Sequence, residues 1–258
     1  MAVALFHIAI AALHLPMEFE FAIVLIIGLV AGTISGIVGF GSSIMLMPVL
    51  IIVFGPLKAV PIMAVAAMMA NFSRILVWWR EVDWRATWVY SATGIPAAAL
   101  GARTLLELPP RIMEGTLGVF FLLMIPARRW LLAHDLKLKT WHLAIVGAVI
   151  GYLTGIVVST GPINAPFFLA YGLTKGAYLA TEAAGSLAVY MSKSLVFRSF
   201  GALPWDAMVQ GLIIGSSLMA GSFLAKRFVL KMEAERFRLL MDGLLVLSGV
   251  TMLWAALA

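Results

Sequence analysis

The sequence predicts an all-α polytopic membrane protein made of two homologous halves, each containing a short broken or re-entrant helix. Three observations predict it. Of the 258 residues, 63% are hydrophobic and only 12% are charged, whereas soluble domains carry about 25% charged residues. Several continuous apolar stretches reach the roughly 20 residues a helix needs to cross a hydrocarbon core. A pattern of glycines, a cation and a tryptophan also recurs in the same order along the two halves. The long runs argue against a transmembrane barrel, whose strands alternate polar and apolar residues in short segments.

The first element, residues 1–20, begins with an apolar run that lacks the basic region of a signal peptide and is too short to span. It is expected to lie at the interface ahead of the first span. A first repeat, 21–127, follows with apolar segments at 21–39, 43–54, 57–79, 86–106 and 112–126. Residues 128–142 form a basic linker. A second repeat, 143–258, holds segments at 143–158, 163–172, 176–197, 207–225 and 239–257. The second and seventh segments stand out as short. Each would rise roughly 15–18 Å, about half of a 30 Å hydrocarbon core. They are expected to be half-helices, either broken spans or legs of re-entrant hairpins.

The duplication rests on register. Gly28, Gly32 and Gly36 return at one constant offset as Gly147, Gly151 and Gly155, and the same offset carries Ser73-Arg74 onto Ser192-Lys193. Trp84 matches Trp205 and Gly94 matches Gly215 at an offset slightly larger, as loop insertions between two copies would leave. Glycines alone would signal only close helix packing; their shared order with a cation and a tryptophan signals a repeat.

Basic residues set the topology. With the linker's Arg128, Arg129, Lys137 and Lys139 in the cytoplasm, alternation adds Arg80, Arg85, Lys175 and the cluster from Lys226 to Arg238 to the same side. Lys58, Arg103, Arg111 and Arg198 stay outside. The asymmetry places both termini on the outer face. An odd number of segments per copy then inverts the copies relative to each other, an arrangement common in secondary transporters. The formal net charge of +6 is accounted for by these topogenic loops facing anionic lipid, so the lipid bilayer and not nucleic acid is the expected partner. With no cysteine, disulfides, thiolate catalysis and iron–sulfur ligation are excluded.

Two glycine-broken polar turns carry the chemistry. The first runs through Gly39, Phe40, Gly41, Ser42 and Ser43; the second through Ser159, Thr160, Gly161, Pro162, Ile163 and Asn164. Ser42-Ser43 and Ser159-Thr160 stand where N-caps of the short helices are expected, and Pro162 suits a first helical turn. Irregular backbone at membrane depth persists only where it is buried in protein or lines a cavity. Half-helix N-termini pointing at mid-membrane would bind an anion with their N–H groups and dipoles. The plainer alternative is that glycine and serine merely cap and pack two helices.

Arg74, with Asn71 one turn before it, and Lys193 lie inside apolar segments. Intramembrane charges are functional candidates by default, but both are also near enough to a segment end to snorkel. Glu182, the one acid deep in a segment, shares a helix face with Ser186 and Lys193. It is read either as a carrier of a coupling proton or as half of a structural ion pair with a basic residue elsewhere, Lys193 being too distant along the helix. The histidines show no metal-ligand spacing. No nucleotide-binding loop, paired catalytic carboxylates or Ser/His/Asp cluster is visible, so no enzymatic activity, metal or cofactor is expected.

The run from Gly32 to Pro48, with Gly36, Gly39 and Gly41 inside it, resembles the glycine-rich first motif of the sulfite exporter TauE/SafE family, also called the toluene-sulfonate uptake permease family. Val82-Asp83-Trp84-Arg85, Leu100-Gly101-Ala102-Arg103 and Leu108-Pro109-Pro110-Arg111 resemble its next landmarks. Gly155 to Pro166 and Ala180-Thr181-Glu182-Ala183 repeat the pattern, so the resemblance extends over about residues 21–257. It implies a bacterial inner-membrane permease for sulfite or an organosulfonate. The family's usual glycine triplet stands here as Gly41-Ser42-Ser43 and Thr160-Gly161-Pro162, which keeps a small-residue turn and leaves the particular anion open.

The expectation is therefore a secondary transporter of a small oxyanion working by alternating access. Gly39, Gly41, Ser42, Ser43, Ser159, Thr160 and Gly161 would coordinate the anion, Asn71 and Asn164 would add hydrogen bonds, and Arg74 and Lys193 would attract it. Glu182 would couple a proton. A transporter of another solute, such as a cation using Glu182, and a non-transporting membrane subunit are the alternatives.

Overall fold

The computed structural model describes residues 17–109, 137–157, 160–173 and 175–225, with isolated positions between 112 and 130. Among these residues there are eight α-helices and no strand. They are α1 Met17–Val38, α2 Ser42–Phe54, α3 Pro56–Trp78, α4 Trp84–Glu107, α5 His142–Ile156, α6 Gly161–Ala170, α7 Lys175–Ser199 and α8 Trp205–Ala225, with a 3-10 turn at Trp79–Glu81. α1 starts earlier than the expected first span and takes in the end of the stretch assigned to the interface. The remainder of that stretch, most of the fifth segment 112–126 and of the linker, and everything from 226 onward, including the tenth segment 239–257, lie outside the described residues.

Local chemistry explains the boundaries. Asp83 caps α4 by accepting from the Ala86 N–H at 3.0 Å, the role short acidic side chains play at helix starts. Trp84 and Trp205 each open a helix, as their matched positions suggest, and both are exposed. Gly55, with φ 76°, ends α2 by donating to the Ile51 carbonyl at 2.9 Å.

The start of α2 corrects one expectation. Its N-cap is Gly41, in a left-handed conformation with φ 108°, and Ser42 and Ser43 both lie in the first helical turn. A serine would be strained at that φ, whereas glycine is not. Thr160 does occupy the N-cap position of α6, but its side chain makes no capping bond. Pro162 sits in the first turn of α6, where its missing N–H costs nothing.

Three stretches, Phe21–Val38, Leu57–Glu81 and Trp205–Ala225, are long and apolar enough to cross a membrane. Exposed apolar side chains such as Ile26, Leu100 and Leu195 suit contact with lipid, and Trp79, Trp84, Trp88 and Trp141 are exposed as interfacial tryptophans are. The two short helices have 13 and 10 residues, rises of about 20 and 15 Å, so neither spans alone.

Packing between helices is reciprocal. Gly28, Gly32 and Gly36 of α1 lie against Ser217, Leu218 and Ser222 of α8, and a Cβ at Gly32 would collide with the Leu218 backbone. Gly147, Gly151 and Gly155 of α5 lie in the same way against Tyr90, Gly94 and Ala98 of α4. These glycines thus let α1 approach α8, and α5 approach α4, backbone to backbone. Two apolar cores result. One is built mainly from α1, α2, α3 and α8 and the other from α4, α5 and α6, while α7 contributes to both. Phe40 and Ile163, one from each polar turn, pack against both cores.

Candidate functional site

The turn between α1 and α2 is made by two glycines. Gly39 has φ 92° and Gly41 φ 108°, values that side chains with a Cβ adopt with strain. The Gly39 N–H closes α1 by donating to the Ser35 carbonyl at 2.7 Å. The turn between α5 and α6 ends at Thr160, whose carbonyl accepts from Ile163 at 3.0 Å and Asn164 at 2.8 Å. The two turns touch: the Phe40 side chain occupies the space a Cβ on Gly161 would need.

Between them lies a cavity of about 30 Å³, lined by Gly39 to Ser43, Ala67, Ala70, Asn71, Arg74, Thr154, Thr160, Gly161, Glu182, Ser186 and Tyr190. That is room for one or two waters. α2 and α6 therefore both begin at one small polar space, reached from opposite cores.

Arg74 and Glu182 form a buried ion pair across it, Nη1 to Oε2 at 3.0 Å. Arg74 also donates to the Gly39 carbonyl and to Asn71 Oδ1. The other oxygen of Glu182 accepts from Ser186 Oγ at 2.6 Å and from Asn164 Nδ2 at 3.2 Å. One carboxylate thus joins α3, α6 and α7. Arg74 Nε and Asn164 Oδ1 remain buried without a hydrogen-bond partner among the described residues, a donor and an acceptor of the kind that native interiors seldom leave unmet.

Lys193 is elsewhere. It is almost wholly buried, and its Nζ donates to the carbonyls of Thr154 and Val157, each at 2.7 Å. It does not line the cavity. Each of these two cations therefore holds carbonyls at the end of a glycine-bearing helix: Arg74 at Gly39, Lys193 at Thr154 and Val157. Cations at helix C-termini are favoured by the orphan carbonyls there. Neither side chain snorkels, because both end inside the protein.

Of the residues singled out from sequence, the structure brings Gly39, Gly41, Ser42, Ser43, Asn71, Arg74, Thr160, Gly161 and Glu182 to the cavity. Asn164 reaches it through Glu182, Lys193 stands apart, and Ser159 lies outside the described residues. Thr154, Ser186 and Tyr190 were not anticipated there. Thr154 had a signal, a hydroxyl beside Gly155 at the end of an apolar helix; its Oγ1 lies 2.5 Å from Thr160 Oγ1. Ser186 had one too, four residues after Glu182.

A bundle of apolar helices around a buried polar cavity is the construction of a membrane transporter, and comparison with known proteins agrees. The family model for the sulfite exporter TauE/SafE matches residues 24–252. The chain belongs to that family. It is 28% identical over 188 residues to "Probable membrane transporter protein y4hK" of Sinorhizobium fredii, covering 67% of this chain and 73% of that protein. No solved structure matches the chain.

Proposed function

We propose that this membrane transporter is a secondary permease for a small oxyanion, sulfite or an organosulfonate, held between the two turns. The observation that carries this reading is that α2 and α6 both start at one cavity, beside a buried arginine whose Nε has no partner among the described residues. Helix N-termini favour negative charge. The hydroxyls of Ser42, Ser43 and Thr160 supply further donors.

Glu182 has the central part in coupling. With Glu182 ionised, Arg74 is already neutralised and the cavity offers an anion little net attraction. Protonation of Glu182 removes the negative charge, Arg74 is released, and the anion takes the carboxylate's place. The cargo is then one anion and one proton together. A cation pathway through Glu182 is less well supported, since Arg74 would repel the ion. The family assignment removes the alternative of a non-transporting subunit.

The present cavity is too small for a sulfonate, so binding requires the two cores to part. We take the two halves to be inverted repeats that rock about this point, in a bacterial inner membrane with both termini outside. Flux into proteoliposomes of sulfite, sulfoacetate and sulfate, with and without a proton gradient, tests the reading. Saturable flux of a sulfur oxyanion driven by the gradient is expected. Absence of flux for all three overturns it.

A further inference from the structure

A second, larger cavity lies away from the turns, about 330 Å³ in volume, among the start of α3, the end of α4 and the loop joining α7 to α8. Its walls are apolar, with Leu57, Val60, Leu105, Phe197 and Ala202 prominent, and among the described residues Lys58 is the one charged residue lining it. The volume is at the lower end of what small-molecule pockets have, and is about ten times that of the cavity between the turns.

Two further cations, Arg103 and Arg198, lie on chain segments that also supply wall residues. Arg198 donates to the Leu203 carbonyl at 3.0 Å and stacks 4.7 Å from the Trp205 ring. Arg103 lies 5.9 Å over the ring of Phe200, next to Gly201 in the wall. Lys58 is 3.9 Å from Asp206, and Arg103 pairs with Glu107 at 3.1 Å. All four of these paired side chains are more than half exposed, where such pairs contribute little and leave the cations available. Lys58, Arg103 and Arg198 are three of the four basic residues that the charge pattern leaves on the outer face.

Lys193 stands between this cavity and the turns. Its Nζ is 5.3 Å from the ring of Phe197, which lines the large cavity, and it is held by the carbonyl of Thr154, which lines the small one.

We propose that the large cavity is a second binding site, an antechamber for an organic anion with a small apolar body. The apolar walls take the body, these cations guide the charged head, and Lys193 is the cation that the head meets on its way to the turns. The inference rests on the transporter reading and adds to it a place where a substrate with an apolar body is distinguished from a bare oxyanion.

The test measures equilibrium binding of benzenesulfonate and of sulfite to the full chain in nanodiscs, for the native protein, for Ala202→Phe, which fills the cavity, and for Lys58→Gln. The preference for benzenesulfonate over sulfite is expected to fall about tenfold in Ala202→Phe, the scale set by burial of a few apolar carbons. In Lys58→Gln, benzenesulfonate binding should weaken and lose part of its salt dependence. Leu57→Trp, at an exposed position in the wall, makes the same test if Ala202→Phe does not fold. An unchanged preference in the filled variant overturns the antechamber, and a lipid acyl chain becomes its occupant. Sulfite flux by the native protein separates the two failures: flux with an unchanged preference sinks only the antechamber, and absence of flux for every sulfur oxyanion sinks the transporter reading with it.

Discussion

Arg74 and Glu182 meet at 3.0 Å in the protein interior, although 108 positions separate them along the chain. The pair ties α3 to α7 and, through Asn164, to α6. Removing one partner leaves an uncompensated buried charge, which costs about 3–5 kcal/mol, whereas removing both is far milder. Arg74→Gln and Glu182→Gln should each lower thermal stability in detergent, and the double variant should recover part of the loss. Additive losses in the double-mutant cycle would show that the two groups are not coupled.

Proton coupling makes a separate prediction for Glu182→Gln. If Glu182 carries the coupling proton, anion affinity in the native protein should rise as pH falls, since protonation would free Arg74 from the carboxylate. The glutamine variant mimics the protonated form and should bind the anion at all pH values with little pH dependence. It should also transport without concentrating the anion against its gradient. Binding isotherms across pH, with gradient-driven flux beside them, check both. A variant that keeps the native pH profile contradicts Glu182 as the coupling group.

Lys193 is predicted to matter first for structure. Lys193→Met keeps much of the apolar stem and removes the donor, so the buried carbonyls of Thr154 and Val157 lose a partner. The expected destabilisation is about 1–3 kcal/mol, read as a lower melting temperature. An unchanged melting temperature would mean that those carbonyls find another donor.

The glycine contacts can be tested symmetrically. Gly32→Leu and Gly151→Leu each force side-chain atoms into backbone on the facing helix, an overpacking cost of about 1–3 kcal/mol or more. Both should reduce the yield of monodisperse protein, while Ile26→Ala, on an exposed position of α1, should not. If one glycine tolerates leucine and its counterpart does not, the two packings are not equivalent.

Much of the helical layout could be read from the sequence. Apolar run lengths placed the helices to within a few residues and marked α2 and α6 as short. The matched Trp84 and Trp205 both proved to begin helices, because tryptophan beside Asp83 or Asp206 is a local signal. The partner of Glu182 was not legible, since nothing local connects α7 to Arg74; only the packing of α3 on α7 does. The sequence points to the serines as the cap of α2 because their capping preference is visible there, while the positive φ that demands Gly41 is set by how α1 arrives. The presence of Thr154, Ser186 and Tyr190 at the cavity depended on helix rotation, which an almost uniformly apolar pattern does not fix.

The turns beginning α2 and α6 are proposed to act as one anion site. Sulfite binding to Ser42→Val, Thr160→Val and the double variant tests it most directly. Each single change should weaken affinity by about tenfold, the loss of one hydrogen bond to a charged group. The double variant should fall short of the product of the two, since both hydroxyls act on one ligand. Native affinity in all three variants, with the protein intact, would contradict the claim and leave the turns as packing alone.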